Sequence, residues 1–141
     1  MYYVDTEKIE ERLQFLPYLG DVCRRLAEQW RENDPVFCLA QERTLHLAIE
    51  TVTDVGSLLI DGFLMRDASS YEDIVEIIRG EQVISSETAD FLIRLVKMRK
   101  SLVQEFVTLE RSSLHPFIRE LPAALNDFAE SVRRYVRQEM L

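Results

Sequence analysis

Between residues 45 and 63 the apolar side chains Leu45, Ile49, Val52, Val55, Leu59 and Phe63 recur at steps of three and four. That spacing puts all of them on one face of an α-helix, which a strand with its period of two cannot do. The same repeat runs through Ile9, Leu13, Leu16, Leu19, Cys23, Leu26 and Trp30, and again through Leu125, Phe128, Val132 and Tyr135. A chain written this way can bury its stripes only by packing helix against helix.

Start and stop signals divide the pattern. Asp5 caps a first helix that has Glu7 in its first turn and ends near "RENDP", with a kink or a short break expected at Pro17. Asp34-Pro35 opens a second helix running to about Leu64, roughly 45 Å if continuous. "RDASSYEDIVEIIRGEQ" reads as loop, cap, short helix and stop, with Ser69 and Glu72 as a capping box and Gly80 as the C-terminal cap. "ISSETADFL" caps a fourth helix extending to about Leu109. Ser112 or Ser113 starts the last one, with Pro116 in its first turn and a kink expected at Pro122.

Only four Gly and four Pro in 141 residues leave little material for turn-rich β architecture. The expected fold is all-α: an antiparallel, up-and-down four/five-helix bundle with one short extra helix, forming a single domain over residues 1–141. An excess of 25 acidic over 17 basic side chains gives a net charge of −8, which opposes nonspecific binding to nucleic acid or to a membrane surface. Cys23 and Cys38 make no disulfide framework, and Cys23 lies on an apolar stripe as a small hydrophobe. No apolar run approaches the roughly 20 residues of a membrane span, and "MYYVDTEKIE" lacks a signal-peptide pattern. A cytoplasmic protein is expected, with no membrane partner and no cofactor.

Two constellations bear on chemistry. Glu42, His46, Glu50 and Asp54 stand at four-residue steps on the second helix. A di-iron ridge needs matching ligands from other helices, and no second Glu-x-x-His occurs, so a solvated polar face is the better reading and no metal is expected. In "RLVKMRKSLVQEF", Arg94, Lys97, Arg99 and Lys100 form a small basic cluster. Arg94 and Lys97 suit a solvated face, but Arg99 falls on the stripe of Leu92, Leu95, Val96, Leu102, Val103 and Phe106. An arginine there requires a carboxylate or phosphate partner. Glu50 and Asp54 are the internal candidates, and an ion pair fixing helix register stands beside an arginine set in a cleft. Neither a G-x-S-x-G nor a phosphate-cradling Gly loop is present.

The succession "QERTLHLAIETVTDVGSLLI", "SYEDIVEIIRGEQVIS" and "LIRLVKMRKSLVQEF" resembles the HepT-like family of the HEPN superfamily over nearly the whole chain. The resemblance implies a helical bundle that dimerises so that two copies of one motif (Arg, Asn, three residues, His, one residue, Tyr) face a shared cleft. It also implies metal-independent RNA cleavage by the Arg and His, and a nucleotidyltransferase antitoxin as partner, able to adenylylate the motif Tyr. On this chain the motif Arg is Arg99, while Lys100, Gln104 and Phe106 stand at the Asn, His and Tyr positions. A Gln amide cannot perform the proton transfer of an imidazole, and Phe106 has no hydroxyl to modify. Positions 100 and 104 share one face and have both changed, so Arg99 and Phe106 are expected to be the part that packs.

Three readings follow. The favoured one is a homodimeric HepT-like protein with a degenerate motif that binds a partner, an RNA or a nucleotide ligand through the old cleft. The second is an active toxin-type ribonuclease using Lys100 or His46, and the third a structural homodimer in which Arg99 only pairs with Glu50 or Asp54.

Overall fold

The structure, a computed structural model, describes residues 2–140. Among them are six α-helices: α1 (Thr6–Gln29), α2 (Pro35–Gly62), α3 (Tyr71–Gly80), α4 (Ser86–Val96), α5 (Arg99–Val103) and α6 (Pro116–Glu139), with a 3-10 turn at Phe106–Thr108 between the last two. The long helices α1, α2 and α6 and the shorter α4 make the bundle. Their contacts run antiparallel: Arg12 meets Asp54 across α1 and α2, Glu10 meets Arg133 across α1 and α6, and Phe91 meets Phe117 across α4 and α6. The short α3 bridges α2 and α4, and α5 lies against α2. The expected all-α bundle is the fold.

The stripes go where the periodicity sends them. Leu13, Leu19, Leu45, Ile49, Leu59, Leu92, Leu125 and Phe128 are fully buried in one core. Threonines on the buried side of α2 cost little, because each hydroxyl donates to a carbonyl four residues back: Thr44 to Ala40, Thr51 to Leu47, Thr53 to Ile49. Both cysteines are buried and free. Burial pushes the Cys23 thiol up to about 11 and raises that of Cys38 as well, so neither is a thiolate nucleophile at neutral pH.

Asp5 and Asp34 cap α1 and α2 as expected, accepting from the amides of Lys8 and Val36. Both α1 and α6 run on through Pro17 and Pro122 rather than breaking there. The α3 cap is one residue later than the sequence suggests. "SSYED" offers two overlapping registers, and Ser70 accepts from the Asp73 amide while Ser69 donates its N–H and hydroxyl to the Asp73 carboxylate. Gly80 is the last helical residue rather than the left-handed cap; Gln82 takes that conformation, at φ 62°. Lacking a proline or glycine signal, the fourth helix nonetheless divides. The Lys97 amide still bonds Ile93, but Met98 turns to Leu95, three residues back. That tighter turn changes the helical phase before Arg99.

The last helix starts at neither Ser112 nor Ser113. His115 is its N-cap, its Nδ1 accepting from the Phe117 amide at 3.1 Å with Pro116 at the first helical position. Only a neutral imidazole can accept there, and burial holds the His115 pKa below its ordinary value, against an opposing pull from Glu120. The cap's contribution is therefore complete above about pH 6.5 and is lost as pH falls through the depressed folded value. Melting curves from pH 7 to pH 5 should lose stability in wild type. His115→Asn, whose cap does not titrate, should lose less; equal losses would remove His115 as the cause.

Candidate functional site

Arg99 opens α5 and reaches back to α2. Its Nε donates to Glu50 Oε1 at 3.0 Å, and its guanidinium lies 4.0 Å from the centre of the Tyr71 ring. The changed phase at residues 97–98 takes Arg99 off the buried stripe: Leu95 and Val96 are buried, whereas the Arg99 side chain keeps 24% exposure. Carboxylate on one edge and aromatic face on one side fix a guanidinium well. Its two terminal nitrogens have no hydrogen-bond partner among the described residues, which leaves a positioned fork for an anion.

Tyr71 is the residue that sequence reasoning missed. It is the first residue of α3, and the loop before it is clamped. Arg66 donates twice to Asp73, at 2.7 and 2.8 Å, and Ser69 adds its amide. The Arg66 guanidinium, with help from the Ser69 amide, holds the Asp73 carboxyl well below the usual carboxylate range. A tyrosine at a helix start carries no signal for a partner 28 positions later in the chain.

The ridge on α2 is divided among different partners. Glu42 takes Arg111 in a bidentate pair at 2.7 and 2.8 Å. Glu50 takes Arg99, and its Oε1 also meets His46 Nε2 at 3.1 Å. Asp54 meets Arg12 at 3.4 Å, so of the two acids proposed for Arg99 only Glu50 serves. Among the described residues no group of three or more His, Cys, Asp or Glu is arranged to hold a metal ion.

On α5 Lys100 is 71% exposed and only 3.9 Å from Glu105. Gln104 is exposed at the C-cap, one turn on, with its amide on the Lys100 carbonyl. Phe106 corrects the expectation: the helix has ended, and the ring is 49% exposed rather than packed. Val107 beside it is exposed too, as are Val36 and Leu39 on the α2 ridge that continues through Arg43, His46 and Glu50.

The pair sets an expectation for stability. Glu50→Ala leaves a half-buried guanidinium without its acceptor, at a cost of about 1.5 kcal/mol, the low end for a charged hydrogen bond because the pair is partly solvated. Joining it to Arg99→Leu should cost less than the sum of the two single changes in urea unfolding. Strict additivity would mean the contact contributes nothing.

Residues 7–132 match the family model for "Ribonuclease HepT-like". The chain is 36% identical over 140 residues to a protein of Bacillus subtilis (strain 168) described as "Putative RNase YutE", covering 99% of this chain and 95% of that one. The solved structure of the cytosolic YutE from Bacillus subtilis superposes with a TM-score of 0.86 at 36% identity, over 99% of this chain and 95% of that chain. A chain of the crystal structure of a toxin–antitoxin with AMP-PNP gives 0.66 at 11% identity, over 92% and 94% of the two chains, a likeness of fold alone. No helix among the described residues is long and apolar enough to cross a membrane.

Proposed function

The chain belongs to the ribonuclease HepT-like family, and from that premise we propose that it binds RNA or a nucleotide-bearing ligand through the Arg99 cleft, with a motif that no longer supplies its own proton transfer. The observation that carries this reading is the state of Arg99. Its Nε is committed to Glu50 and its face to Tyr71, while its terminal nitrogens point to no protein acceptor among the described residues. Gln104, exposed one turn from Lys100, has no titratable group to offer a phosphodiester.

The cleft is shared by two copies of the chain. Val36, Leu39, Phe106 and Val107 are large apolar side chains exposed on α2 and just after α5, and covering them in a dimer removes apolar surface from water. A nucleotidyltransferase antitoxin is the macromolecular partner that the family and the toxin–antitoxin neighbour suggest. The protein works in the cytoplasm on this reading, supported by the cytosolic relative.

Fluorescence anisotropy with a short labelled RNA, run beside light scattering, tests the proposal. Expected are a mass twice the 16.5 kDa of one chain and binding that weakens about tenfold or more in Arg99→Ala, the loss of one charge-assisted fork. A monomer removes the shared cleft. RNA binding indifferent to Arg99 removes the ligand reading and favours a structural dimer. The active toxin-type ribonuclease is the second reading, favoured by one specific contact, that of His46 with Glu50.

A further inference from the structure

Arg99 is one end of a row of contacts that begins on α2. Arg43 Nη1 lies 3.4 Å from His46 Nδ1, His46 Nε2 lies 3.1 Å from Glu50 Oε1, and the same oxygen accepts from Arg99 Nε at 3.0 Å. A guanidinium only donates and a carboxylate only accepts, so the imidazole carries its proton on Nε2 and its lone pair on Nδ1. Every donor in the row therefore points toward Glu50. One carboxylate orients two guanidiniums, Arg99 directly and Arg43 through a neutral ring.

Other arginines are spent differently: Arg66, Arg111 and Arg133 each donate two or more bonds to a single carboxylate. Arg43 is exposed, and its contact with His46 uses one terminal nitrogen. Both ends of the row thus keep N–H groups for an anion. Two arginines against one glutamate leave the row with a charge of +1, in a chain of net charge −8.

The row also has length. Positions 43, 46 and 50 share one side of α2, and the seven residues from Arg43 to Glu50 rise about 10 Å. The two ring nitrogens of His46 face away from each other, so its partners are held apart. Successive phosphates of a nucleic-acid strand advance about 3.4 Å along a helical axis. Two forks separated in this way suit different phosphates of one strand, a few nucleotides apart, better than a lone phosphate.

We infer that Arg43 is a second phosphate contact of the Arg99 site, which takes single-stranded RNA across at least two phosphates without reading its sequence. His46 is a positioning residue that holds Arg43 in the row. The inference rests on the reading that Arg99 binds RNA or a nucleotide-bearing ligand, and it narrows that ligand to a strand.

Fluorescence anisotropy of the full chain, with chelator present, tests it with a labelled single-stranded RNA of about eight nucleotides, within the usual range of strand site sizes. Binding is measured at several salt concentrations, and competition by 5′-AMP reports a ligand with one phosphate. Expected for Arg43→Gln is strand binding about fivefold weaker, the upper range for an exposed charge contact. Its slope of log affinity against log salt should be shallower by about 0.7, one single-strand phosphate fewer. AMP should change much less, whereas Arg99→Ala should weaken both ligands. Arg43→Lys should keep the salt slope, because the charge remains without the fork. His46→Leu alters no charge while the imidazole is neutral, yet should weaken the strand more than AMP. The 2′-deoxy strand of the same sequence should depend on Arg43 equally, since the contact is to phosphate. Affinity and salt slope unchanged in Arg43→Gln overturn the inference while the Arg99 reading stands. Equal weakening of strand and AMP also overturns it, marking a general disturbance of the site, and strand binding indifferent to His46→Leu removes the positioning role. Absence of wild-type strand binding removes the Arg99 reading itself, and this inference with it.

Discussion

Lys100→Asn combined with Gln104→His should raise RNA cleavage about 10²–10⁴-fold over the unmodified chain, the usual worth of a positioned acid–base group. The two positions act together because they lie one turn apart on α5, the Gln104 amide bonding the Lys100 carbonyl. An imidazole introduced at 104 next to the Lys100 ammonium is disfavoured in its protonated form. Gln104→His alone should therefore gain less than the joint change, and Lys100→Asn alone supplies no proton-transfer group. Adding Arg99→Ala to the pair should abolish the gain, since nothing else among these residues presents a fixed guanidinium to a phosphate. The assay is degradation of RNA by nuclease-free protein with chelator present. Rapid, Arg99-dependent cleavage by the unmodified protein, equal to that of the double variant, would defeat the degenerate-motif reading and promote the toxin-nuclease one.

The largest loss of stability is expected at Gly56. It sits in the C-terminal third of α2 where α3 packs, and a methyl added there would overlap Ile74 Cγ2. Elsewhere in a helix, replacing glycine with a residue bearing a side chain gains several tenths to about 1 kcal/mol. Here the neighbour cannot yield cheaply, because Ile74 is buried and its β-branched side chain has one comfortable χ1 in a helix. Gly56→Val should cost about 3 kcal/mol, the upper end for overpacking a filled core. Ile74→Ala in the same chain should recover part of that loss by opening the space, although alone it creates a cavity. A Gly56→Val protein that melts at or above the wild-type temperature would mean that α3 moves away freely, and with it the Tyr71 stack on Arg99.

Much of this molecule is determined locally. The three-and-four spacing of Leu45 to Phe63 dictates a helix with one buried face wherever that helix docks, and Asp5, Asp34-Pro35 and Ser85 mark starts because a cap is a contact between neighbours in the chain. The bundle follows from the sequence for that reason, and a carboxylate partner for Arg99 is expected from its charge. So do the residues at positions 100 and 104, Lys and Gln, since residue type is read directly.

What the tertiary structure decided are the contacts between distant segments. Glu50 and Asp54 are one turn apart on α2 with the same charge, so nothing local tells which meets Arg99; the answer is that Arg12 of α1 takes Asp54. The break at residues 97–98 carries no proline or glycine, and it turns Arg99 from the core stripe toward Glu50 and Tyr71. Phe106 shares a helical face with Arg99 only if the helix continues, and it does not. Periodicity reports which side of a helix is buried. The partner of a side chain is chosen by the packing of whole helices, through contacts between residues far apart in the chain.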